Sequence, residues 1–149
     1  MMAQPVLIVS GGAESVSIAI AEWAVASRSE VLVFALVPSS LLESVPGVKH
    51  VSYARSSVRD DVLADLEAFI FQIRGAADAP VLAFPTEDDS FGLLVELSGR
   101  LGDRVLSCSR CRALQSGGLD KAELFSYLGS VGLGSVIADT MTVMNEADV

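Results

Sequence analysis

The chain has 149 residues, 51% of them hydrophobic and 19% charged, with a formal net charge of -9. That length suits one domain with one substantial core, and the composition argues against disorder. Ten Lys and Arg against nineteen Asp and Glu offer no basic face to nucleic acid, and no apolar run approaches the roughly 20 residues of a membrane helix.

The mean hydropathy of +0.51 is high for a soluble chain, so an apolar interface with a partner is expected. The opening "MMAQPVLIVSGG" has no basic stretch ahead of its apolar run and does not read as a signal peptide. A cytoplasmic protein is the expectation.

"PVLIVS" (5–10) predicts a first strand, stopped by Gly11 and Gly12. "ESVSIAIAEWAVAS" then predicts a helix with Val16, Ala19, Ile20, Trp23 and Ala24 on its buried face. Core packing is the default for Trp23, while Ile18, Ala21 and Val25 lie off that stripe and offer a dimer face. "VLVFALV" (31–37) is the continuous run of a strand buried on both sides. "GVKHVSYA" is a weaker strand, in which His50, the single histidine, reads as a partly exposed strand residue. "SVRDDVLADLEAFIFQIRG" predicts a helix capped by Ser57, with Val62, Leu66, Phe69, Ile70 and Ile73 inward and Gly75 as its stop.

"PVLAF" (80–84) predicts the next strand, "DSFGLLVELSGRLG" the next helix with Gly102 near its end, and "RVLSCS" another strand. "LDKAELFSYLGSVGLG" carries helix-start signals: Asp120 as N-cap, Glu123 three residues on, and Leu119 with Leu124 at staple positions. "VIADTMTVM" is a last strand or an extended exit. Strands alternating with helices predict a three-layer α/β/α, doubly wound, mostly parallel sheet. "PVLIVS" is expected at its centre and "VLVFALV" beside it.

Ligands of such sheets sit beyond the carboxyl ends of the strands. Three loops there stand out: "SGGAES", "PTEDDS" and "SCSRC". In "PTEDDS", Thr86 with Asp89 three residues on is a helix-cap pattern, and acids in a first turn suit the helix dipole. No second acidic cluster follows another strand, so Glu87, Asp88 and Asp89 read as a helix start at a substrate-facing edge rather than a metal site. "SGGAES" lacks G-x-G-x-x-G, and Pro38 and Ser39 stand where a ribose-binding acid would follow the second strand, which argues against a dinucleotide. An anionic group at that helix N-terminus stays open. Cys108 and Cys111 form C-S-R-C, whose spacing keeps a thiol oxidoreductase as a competing reading; two reduced thiols are the default in a cytosolic protein. One histidine and no G-x-S-x-G leave a hydrolase triad without support.

"LDKAELFSYLGSVGLGSVIADT" resembles the passage that opens the ATP-grasp fold of carboxylate-amine and carboxylate-thiol ligases: Asp-Lys, about ten helical residues, Gly-Leu, and a later Thr. Asp120-Lys121 and Gly132-Leu133 match, and Thr140 or Thr142 stands for the last. Gly134 occupies the place of the usual first proline, and no second proline follows. Upstream, Pro85-Thr86-Glu87-Asp88 is similar to the Pro-Thr-x-Asp stretch of the family's pre-ATP-grasp domain, in a layout like that of carbamoyl phosphate synthase and biotin carboxylase.

The resemblance implies a Rossmann-like pre-ATP-grasp domain over 1–118 and the start of the ATP-grasp region over 119–149, packed on the same domain. It implies an N-terminal substrate-binding or structural domain, truncated before the catalytic part and inactive alone, whose missing partner is the C-terminal ATP-grasp domain. ATP and magnesium belong to the complete enzyme, with Lys121 contacting nucleotide there; this chain alone is expected to hold no cofactor, no metal and no catalytic residue. Gly11, Gly12, Thr86, Glu87 and Asp88 are the substrate-facing loop residues. A homodimer is expected, with neither nucleic acid nor membrane as partner. The alternatives are a free-standing dimeric α/β binding or regulatory module and the thiol oxidoreductase.

Overall fold

The computed structural model describes residues 4–74 and 80–107. They form five strands and four α-helices in strict alternation: β1 (Val6–Ser10), α1 (Glu14–Ala26), β2 (Val31–Ala35), α2 (Ser40–Glu43), β3 (His50–Tyr53), α3 (Arg59–Arg74), β4 (Val81–Pro85), α4 (Asp88–Leu101) and β5 (Val105–Ser107). The sheet runs β3-β2-β1-β4-β5, and every pair is parallel. This is the doubly wound, Rossmann-like α/β architecture that the alternation predicts.

All five residues of β1 and of β2 are buried. An unbroken apolar run can only lie where both sheet faces are covered, which places these two strands in the interior. β3 is half-buried along its length at one edge, in keeping with its weaker pattern. His50 is partly exposed there, 3.5 Å from Glu30.

Alternation along β1 divides the core in two. Leu7 and Val9 meet Leu63, Leu66 and Phe69 of α3 and Leu93, Leu94 and Leu97 of α4. Phe34, fully buried, anchors this layer with its ring 6.1 Å from that of Phe69. Val6 and Ile8 belong to the opposite layer, with Ala21 and Ala24 of α1 and Leu42 of α2. Burying one such Leu or Phe side chain contributes about 1.5–3 kcal/mol.

Two helices depart from expectation. α1 buries Ser17, Ala21 and Ala24; of the expected inward stripe Ala24 is buried and Ile20 half-buried, while Val16, Ala19 and Trp23 are exposed. Trp23 is 53% exposed, so it is no core residue; Ala21 is fully buried and Ile18 and Val25 pack partly buried against the core, so the three do not form the expected dimer face. Small side chains at i, i+4 and i+7 let the helix lie close on β1, and Ser17 donates a 2.7 Å hydrogen bond to the buried Ser10 hydroxyl. α3 starts at Arg59; the turn before it is tied by Ser56, whose hydroxyl accepts the Val58 N–H at 3.0 Å, where Ser57 was expected to cap. The inward stripe of α3 is otherwise as predicted. α2 was not foreseen, because a four-residue helix carries no period. Gly75 and everything from Cys108 onward, including Cys111, Lys121, the 118/119 boundary and the ATP-grasp-like passage, lie outside the described residues.

Candidate functional site

β1 pairs with β2 on one side and β4 on the other, and the chain leaves the carboxyl ends of β1 and β4 toward opposite faces. A crevice opens at such a switch point. Its walls are the turn Gly11–Gly12–Ala13 after β1 and Thr86–Glu87 after β4.

The two walls are tied together. Thr86 Oγ1 accepts the Gly11 N–H at 3.3 Å and lies 3.4 Å from the Val9 carbonyl. The Glu87 carboxylate accepts the Ala13 N–H at the start of α1. Gly12 holds φ +149, a conformation that L side chains rarely adopt, and a Cβ on Gly11 would overlap the Glu87 carboxylate. The positive end of α1, where a phosphate or other anion would sit, is therefore occupied by the chain's own carboxylate. Four of the residues singled out in the sequence, Gly11, Gly12, Thr86 and Glu87, meet here. Asp88 stands outside the crevice contacts, exposed in the first turn of α4.

The cap of α4 lies one residue later than expected. Glu87, not Thr86, is the N-cap, and Ser90, not Asp89, sits three residues on. The fully buried Ser90 hydroxyl accepts the N–H groups of Thr86 and Glu87, each at 3.0 Å, and donates to the Glu87 carbonyl at 2.8 Å. Thr86 is not free to cap because its hydroxyl is engaged across the crevice. Among the described residues, no three His, Cys, Asp or Glu side chains converge where a metal ion would bind.

A second concavity, of about 250 Å3, lies at the same edge of the sheet. Ser56, Ser57, Arg59 and Asp89 give it polar walls; Leu36, Ala54, Val62 and Leu93 give it apolar ones. Its loop is held from α3: the Asp65 carboxylate accepts the Arg55 backbone N–H at 3.1 Å and the Arg55 Nε–H at 3.0 Å. The Arg55 guanidinium, followed by its backbone N–H, keeps the Asp65 carboxyl below the usual carboxylate range. Arg59 pairs through Nε with Glu96 of α4. Its guanidinium lies so near Gly92 that a Cβ there would be 3.1 Å from Nη2.

On the far side of the sheet edge, the Tyr53 hydroxyl donates toward the Ser39 carbonyl at 2.9 Å and lies 2.7 Å from Glu43. Burial, with the Glu43 carboxylate second, raises the Tyr53 pKa. Sequence reading flagged neither this contact nor Arg59. The signal for Arg59 was available: "YARSSVR" is also a strand-to-helix loop at the ligand edge, but the weak β3 pattern drew no attention to it.

No family model, curated protein or solved structure matches this chain. No described helix is long and apolar enough to cross a membrane.

Proposed function

We propose that the chain is the N-terminal substrate-binding domain of an ATP-dependent carboxylate-amine or carboxylate-thiol ligase, and that it performs no ligation alone. The observation that carries the reading is the Glu87 carboxylate at the N-terminus of α1. It sets a negative charge where a nucleotide phosphate would otherwise lie, which disfavours nucleotide at the sheet's usual seat. The residues of the crevice thus do not fit ATP and magnesium. We assign those to the ATP-grasp part, with Lys121 as a phosphate contact, and leave to this domain the pocket of about 250 Å3 between the β3–α3 loop and α4.

The test is ADP release by the protein translated from its complete reading frame, given Mg-ATP, a small carboxylic acid and an amine or thiol. Release that requires both organic substrates supports the reading. Release by residues 1–149 alone, or none from the complete protein with any acid and donor pair, overturns it.

One observation favours a second reading, a free-standing module that works as a homodimer. Val16, Ala19, Ile20 and Trp23 of α1 line an open apolar groove with Phe84 of β4, and the Trp23 and Phe84 rings stand edge to face at 5.9 Å. Light scattering over a dilution series separates the two. A dimer that Trp23→Glu converts to monomer favours the module; a monomer at high micromolar concentration removes this support.

A further inference from the structure

We propose that the pocket between the β3–α3 loop and the first turn of α4 binds a small zwitterion, its anionic group on Arg59 and its cationic group on Asp89. The pocket's volume of about 250 Å3 equals that of roughly eight waters at about 30 Å3 each, the size of a molecule with a short carbon skeleton and two polar ends.

Its walls carry both signs of charge. Arg59 comes from the start of α3 and Asp89 from the first turn of α4. Glu96 takes the Arg59 Nε–H, which fixes the guanidinium plane and leaves the Nη groups to fork a carboxylate. Gly92, having no side chain, lets that plane rest against α4. The Ser56 oxygen already accepts the Val58 N–H, so its hydroxyl proton is available to a ligand oxygen. Between these groups, Leu36, Ala54, Val62 and Leu93 suit a short apolar segment.

Selectivity follows from the pairing of charges. A simple anion drawn to Arg59 meets the repulsion of Asp89, and a simple cation drawn to Asp89 meets that of Arg59. A molecule bearing both signs satisfies both walls, so each wall rejects what the other alone would accept. This inference rests on the substrate-binding reading for its purpose, and it names the class of that substrate. Asp65 enters as a positioning residue, because it ties down the loop that carries Ser56 and Ser57.

The experiment is an NMR titration of the isotopically labelled 149-residue chain with glycine, L-alanine and β-alanine, and separately with acetate and methylammonium. At least one zwitterion should shift the amides of Ser56, Ser57, Arg59 and Asp89 at millimolar concentration, and neither singly charged probe should match it. Arg59→Gln and Asp89→Asn should each weaken binding about tenfold, or ~1.4 kcal/mol, with the spectrum otherwise dispersed as in the wild type. Equal response to acetate, no response to any zwitterion, or unchanged binding in both variants overturns the proposal. Substrate-dependent ADP release by the complete protein without these shifts would sink the pocket and spare the ligase reading; the shifts without ADP release would do the reverse.

Discussion

Glu87, the N-cap of α4, accepts the backbone N–H of Ala13 and so closes the start of α1 from beside the neighbouring strand. One carboxylate joins the two halves of the doubly wound fold at the point where a ligand would otherwise part them. Gly11 is the complement of that contact, since any side chain there would fall on the carboxylate.

Gly11→Ala should therefore destabilise the protein by about 0.5–2 kcal/mol, because the Glu87 carboxylate must swing away and give up the Ala13 N–H. Glu87→Ala should cost about 0.5–2 kcal/mol through loss of the cap. Since Glu87→Ala removes the group that Gly11→Ala strikes, the double variant should lose less than the two single losses added. Urea denaturation of all four proteins measures the coupling. Strict additivity would mean that Glu87 does not stand over Gly11 in solution.

What was legible in the sequence follows the same physics. β1 and β2 announced themselves because a strand covered on both faces must be apolar throughout. The crevice was legible because glycines and a Thr-Glu pair each follow a strand. The face of α1 was not. Its residues 15–26 are apolar or small at nearly every position, so period alone cannot choose a side, and bulk suggested Trp23. Close approach to β1 selected the small residues Ser17 and Ala21, with the expected Ala24, instead. Arg59 escaped notice because its role depends on Glu96 and Asp89, 37 and 30 positions away, and only the fold brings α3 beside α4.

Asp65 gives a prediction in pH. Its folded pKa is lowered by Arg55, so the pairing stabilises the native state fully above the unfolded value of about 3.9. That stability is lost as pH falls through the lower folded pKa. Asp65→Asn should thus be less stable than the wild type at neutral pH, and the gap should close in strong acid. Thermal melts of both proteins from neutral to acid pH check this. A gap that does not change with pH would assign the effect to packing rather than charge.

The end of α1 gives a prediction of the opposite sign. The Ser29 N–H bonds to the Ala24 carbonyl at 3.0 Å and the Arg28 N–H to the Val25 carbonyl at 2.9 Å, the two bonds of a Schellman motif. Its left-handed position is held by Arg28 at φ 60, where glycine is usual. The left-handed conformation costs an L residue about 1–2 kcal/mol, and a glycine's greater freedom when unfolded returns roughly 0.5–1 kcal/mol of that. Arg28→Gly should therefore stabilise by up to about 1 kcal/mol, seen as a higher urea midpoint with an unchanged slope. A lower midpoint would show that the Arg28 side chain makes a contact worth more than the backbone strain.

The proposed division of labour makes the last prediction. Nucleotide binding calls for phosphate contacts, magnesium ligands and a base pocket together. In this domain the N-terminus of α1, the usual phosphate seat of such sheets, already holds Glu87. Calorimetry of residues 1–149 with Mg-ATP should register no binding, and Glu87→Gln, which removes the charge from that seat, should not create a micromolar site. In the complete protein, Lys121→Ala should weaken ATP about tenfold or more, because an ammonium at a phosphate supplies a charge-assisted hydrogen bond that water replaces poorly. The acid and the amine or thiol should keep their KM in that variant, since the pocket assigned to substrate draws on Arg59 and Asp89 instead. Micromolar Mg-ATP binding by the 149 residues alone, abolished by Lys121→Ala, would show that the nucleotide site is self-contained, and the separation of roles proposed for this chain would be wrong.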